Sequence, residues 1–292
     1  MDNNIWAPAS PAPPYCVVIP AHDEEATIAR TLRHMGAPEA GRSRTIVVCN
    51  ACSDRTADVV RETMPEAEII ELAEAGKWRA INAGFAAAGE GIVLVVDADI
   101  EISRRALDEL ARELERPGVR AASPAVVFDL SFTDPWVRAY YKIFSRHPYL
   151  RVGVGGAGVY GLSVDGRRAI AKLPPLISDD GYVRSRIPMR HQRRVSRGTD
   201  GRRIKARVRP PRSLRQLLRV EARWRQGDVE LSKLARVRKH ESHPLWGMLN
   251  EGKVTRGDAV RYLMVKVIGR IMRILTPLDP QRGWAKDVSS RH

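Results

Sequence analysis

Between residues 15 and 114 the chain alternates short apolar runs with helical patterns, and this alternation constrains the fold more than any other feature. The apolar runs, each typical of a buried strand, are residues 15–20, 45–49, 67–72 and 91–96. The helical patterns are residues 24–35, 56–64, 77–88 and 103–114. A β-α-β-α order predicts an α/β fold whose mostly parallel sheet is flanked by helices.

Polar side chains follow three of these runs, at residues 22–24, 50–54 and 97–99. Ligands of such sheets bind beyond the carboxyl ends of the strands. Asp97 and Asp99 directly follow the most apolar run, and paired carboxylates suit a hard cation such as Mg²⁺ or Mn²⁺. Taken alone, this D-x-D spacing favours capping of the following helix over a metal site.

The second half is less regular. Residues 153–161 are rich in glycine, a helix is predicted near residues 167–172, and Asp179 and Asp180 form an acidic pair. Residues 184–219 are dense in arginine with Asp200 as their only acid, and we expect much of this stretch to be loop. Helices are predicted at residues 213–225 and 258–275.

Composition limits the partner and the compartment. The formal charge of +15 predicts an anionic partner, either nucleic acid, an acidic membrane surface or a phosphorylated substrate. Three cysteines are too few for a disulfide framework, and Cys49 and Cys52 lack the second ligand pair that zinc needs. A signal peptide and a bilayer-spanning stretch of ~20 apolar residues are both missing, so we expect a cytoplasmic protein.

Six short segments in the same order resemble the inverting glycosyltransferases of family two, which have the GT-A fold. The segments are VVIPAHDEE from Val17, VVCNACSDRT from Val47, GKWRAINAG from Gly76, VVDAD from Val95, SDD from Ser178 and PRSLRQLLRVEARWRQG from Pro211. Each is weak alone, but together they cover roughly residues 15–230 in the family's order. The resemblance implies a non-processive transferase that moves one sugar from a nucleotide-sugar donor to a hydroxyl acceptor.

The resemblance also implies the donor site. Pro20, Ala21 and His22 would lie under the nucleotide base and Glu24 would bind the nucleoside, while Lys77 would neutralise the donor phosphates. Asn50 stands where the family has an aspartate that binds uracil, and because an amide both donates and accepts, UDP and GDP both stay open as donors. Asp99 would ligate Mn²⁺ or Mg²⁺, and Asp97 would hold either the metal or the ribose.

For the acceptor side, the resemblance implies Asp180 as the general base with Asp179 as its neighbour. Gly156 would let the backbone approach the sugars, and Arg223 and Trp224 match part of the family's Q-x-x-R-W signature. Val220 replaces the glutamine of that signature, so we expect a single transfer rather than polymerisation. A packed core position for Trp224 is equally compatible with the sequence.

Other interpretations stay open at this point. A nucleotidyltransferase shares the sheet and the carboxylate chemistry, and a non-catalytic module could bind sugar or anionic lipid. The basic stretch lacks a nucleic-acid-binding motif, so we expect no nucleic acid partner but a possible anionic membrane surface. We predict a disordered lead at residues 1–14, a donor half at 15–125, an acceptor half at 126–230 and a basic helical extension at 231–292. The last helix could either lie in a membrane interface or pack on the domain.

Overall fold

Residues 11–234, 245–252 and 254–275 are described by the computed structural model. They form one sheet in the order β3-β2-β1-β4-β6-β5-β7, with β8 paired to β5 off this path. The strands are β1 Tyr15–Ala21, β2 Ser43–Asn50, β3 Glu68–Leu72, β4 Ile92–Val96, β5 Ala121–Phe128, β6 Val159–Leu162, β7 Gln192–Val195 and β8 Lys205–Val208. The helices are α1 Ile28–Met35, α2 Thr56–Thr63, α3 Lys77–Ala88, α4 Arg104–Glu115, α5 Pro135–Phe144, α6 Val164–Ile170, α7 Asp179–Arg186, α8 Leu214–Leu234, α9 Leu245–Asn250 and α10 Arg256–Leu275.

The first four strands are parallel, as the alternating pattern predicts. β1 lies between β2 and β4, and β3 pairs with the outer edge of β2. β6 then runs antiparallel to both β4 and β5, while β7 and β8 pair parallel to β5. The sheet is therefore mostly parallel with an antiparallel insertion at β6, which confirms the predicted fold class.

Apolar side chains cover both faces of the sheet. Val17 and Ile19 pack with α1 and α4 on one face, and Val18 packs with α3 on the other. Every residue of β1 is buried, as expected of a central strand in a parallel sheet. Gly84 brings α3 close to the sheet, because a Cβ at this position would lie 2.2 Å from Cγ1 of Val18.

Three predicted elements need correction. The first helix begins at Ile28 and not at residue 24, because the Glu24 carbonyl accepts from the amides of Thr27 and Ile28 and closes a turn. The helix predicted near residues 167–172 spans Val164–Ile170, with Ser163 as its N-cap. The basic stretch, in which we expected much loop, also contains the two short strands β7 and β8.

A helical layer made of α5, α8 and α10 packs beside the sheet around one buried carboxylate. Glu221 of α8 is 1% exposed and accepts from the Tyr140 hydroxyl at 2.6 Å. Lys266 of α10 donates to both of its oxygens at 3.0 and 3.1 Å, and Arg225 lies 2.9 Å away. This network joins three helices whose sequences are far apart.

The predicted domain limits are not decided by this architecture. β5 runs across the predicted limit between residues 125 and 126. α8 begins in the predicted acceptor half and ends in the predicted extension. Most of the predicted lead, and the parts of the predicted extension at residues 235–244 and 276–292, lie outside the described residues. No helix in the described part of the chain is long and apolar enough to span a bilayer.

Candidate active site

Side chains from three elements meet beyond the carboxyl end of β4. Asp97 follows β4 directly, and its amide donates to the Gly158 carbonyl at 2.8 Å, just before β6. Lys77 is the first residue of α3, and Asp179 is the first residue of α7. The starts of α3 and α7 and the end of β4 therefore meet at one edge of the sheet, with residues 77, 97 and 179 in contact.

Lys77 bridges two of these carboxylates. Its Nζ lies 2.7 Å from Oδ1 of Asp97 and 2.9 Å from Oδ1 of Asp179. Burial alone would lower the pKa of Lys77, but Asp179 and Asp97 outweigh it and hold the pKa above its usual range. Burial raises the pKa of Asp179 to about 6 although Lys77 opposes the shift. In this structure the Lys77 ammonium is paired with two carboxylates. Its contact with the phosphates of the sugar donor stays a prediction.

Asp99 has a different environment from Asp97. Burial raises its pKa, and the positive charges of Lys77, Arg223 and Arg30 counteract that rise. Within the described ranges no ion pair holds the Asp99 carboxylate. A partly buried carboxylate without a paired cation, two residues after another carboxylate, is the arrangement that a divalent cation fits.

Asp180 is held by four donors. Its Oδ2 accepts from the Gly156 amide at 2.8 Å and from the Tyr149 hydroxyl at 3.3 Å. Its Oδ1 accepts from the Gly181 amide at 2.7 Å and from the Ser178 hydroxyl at 3.3 Å. Four hydrogen-bond donors fix the orientation of this carboxylate. The glycine-rich loop thus reaches the predicted base through a backbone amide.

Asn50 supports the loop that carries Lys77. Its side chain is buried, its Nδ2 donates to the Glu74 carbonyl at 2.6 Å, and its Oδ1 accepts from the Gly76 amide at 2.6 Å. Both ends of the amide are therefore used by residues 74–76. The backbone carbonyl of Asn50 lies 2.7 Å from Nδ1 of His22.

The remaining predicted donor residues line the start of the same edge. Pro20 and Ala21 are buried at the end of β1, so they offer a ligand mainly backbone. His22 is partly exposed beside them. Glu24 is also partly exposed, and its carboxylate accepts from the Thr27 hydroxyl at 2.5 Å. The structure brings these residues together with Asn50, but a nucleoside contact for any of them stays a prediction.

The two predicted acceptor-binding residues on α8, Arg223 and Trp224, lie in different surroundings. Trp224 stacks on Phe144 with ring centroids 5.2 Å apart, within the helical layer, which is the packed position that the sequence left open. Arg223 instead lies near enough to Asp99 to counteract the rise of its pKa. Arg223 therefore lies at the acidic edge, the part of the sheet edge that carries Asp97, Asp99, Asp179 and Asp180.

Two residues of the site escaped the sequence analysis. Tyr149 lies in a short 3-10 turn, stacks under the Arg184 guanidinium at 4.8 Å and reaches Asp180. Arg30 of α1 lies beside Asp99 and pairs with Glu101 at 3.3 Å. Neither stands in a motif, and only the fold places them there.

A sheet of this order, with acidic residues beyond β4, is similar to GT-A glycosyltransferases. A mannosyltransferase from Pyrobaculum calidifontis, solved with GDP-Man and Mn²⁺, is 18% identical with a TM-score of 0.59, covering 93% of this chain and 78% of that one. Glucosyl-3-phosphoglycerate synthase from Mycobacterium tuberculosis, solved with phosphoglyceric acid, is 18% identical with a TM-score of 0.54, covering 78% and 81%. At these identities the likeness concerns the fold.

Sequence comparison then gives the family. The family described as Glycosyl transferase family 2 matches residues 16–162, half of the chain, and the protein belongs to it. Its 96-residue match to the probable glycosyltransferase YdaM of Bacillus subtilis is 38% identical and covers 30% of this chain. That match spans only 23% of the relative. Membership of this family is what the ordered motifs predict.

Proposed function

We propose that this enzyme is an inverting glycosyltransferase that moves a single sugar from a UDP- or GDP-linked donor to a hydroxyl acceptor. The observation that carries the proposal is the meeting of Lys77, Asp97, Asp99 and the pair Asp179 and Asp180 at one edge of the sheet. Lys77 is paired with Asp97 and Asp179, so a cation suited to phosphate lies beside carboxylates that suit a divalent metal ion. Family membership favours glycosyl transfer over the nucleotidyltransferase and the non-catalytic module.

The metal is assigned to Asp99, with Asp97 as its second ligand or as a contact to the ribose or a metal-bound water. The absence of an ion pair at the Asp99 carboxylate within the described residues supports this assignment, as does its position two residues after Asp97. Bound Mn²⁺ or Mg²⁺ would stabilise the negative charge that develops on the leaving nucleoside diphosphate. Asp97 stays oriented through its ion pair with Lys77 and the contact of its amide with Gly158.

Asp180 is assigned as the general base. In a single displacement the acceptor oxygen attacks the anomeric carbon while the bond from that carbon to the phosphate oxygen breaks, and Asp180 takes the hydroxyl proton. The Gly156 amide and the Tyr149 hydroxyl donate to the Asp180 carboxylate and hold it in a fixed direction. Asp179 is paired with Lys77, so it is the less available of the two carboxylates to accept the proton of the acceptor hydroxyl.

The acceptor class stays broad and includes lipid-linked, glycan and secondary-metabolite hydroxyls. Val220 is buried in α8 at the position of the family's glutamine, and the processive signature is therefore incomplete. This supports the transfer of one sugar. A peripheral position on the cytoplasmic face of a membrane is a separate proposal, and it rests on a helix outside this site.

Ligand-induced thermal stabilisation tests the metal and the donor. Unfolding of the full chain is followed with UDP-, GDP- and dTDP-sugars, each with and without Mn²⁺. We expect one nucleotide sugar to raise the midpoint only when Mn²⁺ is present, and Asp99→Ala to remove that increase. Stabilisation that persists in Asp99→Ala would overturn the metal assignment.

Turnover of the donor that stabilises the protein then tests the base. We expect Asp180→Asn to lower kcat about 10²–10⁴-fold, the usual contribution of a general base, while donor binding is kept. Asp165→Asn changes an exposed acid on α6 in the same way and serves as the matched control. If Asp180→Asn keeps its activity and Asp179→Asn loses it, the base is Asp179 and the assignment is wrong.

A further inference from the structure

Helix α10 presents a continuous apolar stripe to solvent. Its members lie three or four residues apart, and each is between 44% and 64% exposed: Val260, Leu263, Met264, Val267, Ile271 and Ile274. At this spacing they occupy about a third of the helix circumference. The other described helices direct most of their large apolar residues into a core, and an exposed apolar stripe of this length marks an interaction surface.

The opposite face of the same helix is already packed. Ala259, Tyr262 and Val265 are buried in the helical layer. Lys266 is bound to the buried Glu221 of α8, and Asp258 to Lys142 of α5 at 2.8 Å. These ion pairs fix the rotation of α10 about its axis. The helix cannot turn its exposed stripe inward without breaking both.

Charge distinguishes between the possible partners of the stripe. The twenty residues of α10 include five basic residues and one acidic residue, Asp258, which is tied to Lys142. Arg256 and Arg270 are exposed, the first at the start of the stripe and the second along its edge. A second copy would bring two such cationic helices together in a chain of net charge +15. An anionic surface would instead attract them.

We propose that α10 docks the enzyme on an anionic lipid bilayer, with the stripe inserted among the upper acyl chains and the arginines at the phosphate groups. A helix with an apolar face and basic flanks lies in the interface plane and does not cross the bilayer. The proposal does not depend on the transferase activity. α8, which packs against α10, also carries Arg223 toward the acidic edge, so docking sets the distance between the active site and the bilayer.

Co-sedimentation of the full chain with vesicles tests this inference and needs no sugar donor. The vesicles are phosphatidylcholine alone or phosphatidylcholine with phosphatidylglycerol. We expect binding to the anionic vesicles and at least tenfold weaker binding to the neutral ones. The triple variant Leu263→Gln, Val267→Gln, Ile271→Gln should bind the anionic vesicles at least tenfold less. Its thermal unfolding should match that of the wild type, because the replaced side chains are exposed.

The matched control replaces three exposed apolar residues outside α10, Val127→Gln, Phe132→Gln and Val152→Gln, and should bind as the wild type does. A second variant, Arg256→Gln with Arg270→Gln, should lose binding to anionic vesicles only. The inference is overturned if wild-type protein does not bind anionic vesicles, if neutral vesicles bind equally, or if both triple variants bind alike. A wild-type dimer in sedimentation velocity that dissociates in the stripe variant would assign the stripe to a second copy.

Discussion

Replacing Glu221 by glutamine tests whether its buried carboxylate holds the helical layer together. The change keeps the shape of the side chain and removes its charge. In the wild type the carboxylate is 1% exposed and holds the Tyr140 hydroxyl, Lys266 and Arg225 within 3.1 Å. Glutamine can still accept from Tyr140, but it leaves two cations facing a neutral amide. The contact between α8 and α10 therefore loses its central attraction.

The size of the effect follows from the exposure of the partners. Removing one partner of a fully buried ion pair costs about 3–5 kcal/mol. Lys266 and Arg225 are 29% and 22% exposed, so water stabilises part of their charge when the carboxylate is gone. We therefore expect a loss of about 2–3 kcal/mol in the free energy of unfolding. For a chain of 292 residues the loss corresponds to a decrease of about 3–5 °C in Tm.

Thermal unfolding followed by circular dichroism at pH 7 measures the loss. Lys266→Met and the double variant complete a cycle, and we expect the two single changes to be strongly non-additive because they remove the same pair. Glu115→Gln, an exposed position of α4, is the matched control and should stay within about 0.5 kcal/mol. If Glu221→Gln changes Tm no more than this control does, the buried network does not hold the layer together.

Three further outcomes follow from the packing and the site. Gly84→Ala should destabilise the protein by about 1–3 kcal/mol in denaturant titrations, because the new methyl overlaps Val18, and Val18→Ala in the same chain should recover part of the loss. Although partial burial raises the pKa of Asp258, its hydrogen bonds outweigh burial and hold the pKa below the usual value. Asp258→Asn should therefore cost about 0.5–1 kcal/mol at pH 7, a difference that disappears as the pH falls below about 4. Tyr149→Phe removes the hydroxyl that donates a hydrogen bond to Asp180 at 3.3 Å, and it should lower kcat about fivefold in steady-state assays. The thermal stabilisation by the nucleotide sugar should stay unchanged.

The parallel half of the sheet could be predicted from sequence because its signals are local. Each strand is a short apolar run, and each helix begins within a few residues of its predicted start except α1, whose first turn is closed by Glu24. β7 escaped prediction because its sequence, QRRV, is polar and basic. It pairs with β5, so its stability comes from a distant partner.

The active site could likewise be predicted only in part from the sequence. The motifs indicated which residues matter but not what they contact. Asn50 appeared as a base-reading residue, while the fold shows its amide engaged with residues 74–76. Lys77 and Asp179 are 102 positions apart, and no spacing rule predicts their 2.9 Å contact. Contacts between segments that are distant in sequence depend on sheet order, which the sequence pattern constrains only in part.

The bridge that Lys77 makes between Asp97 and Asp179 also limits how this enzyme can be recombined. The matched family region ends at residue 162, so the lysine and Asp97 belong to one segment and Asp179 to the next. A chimera that joins residues 16–162 to a foreign acceptor segment needs an acid at the position of Asp179. Without it, the lysine would have Asp97 as its single anionic contact among these three residues. Exchange of acceptor segments between relatives is therefore expected to succeed only where that acid is retained.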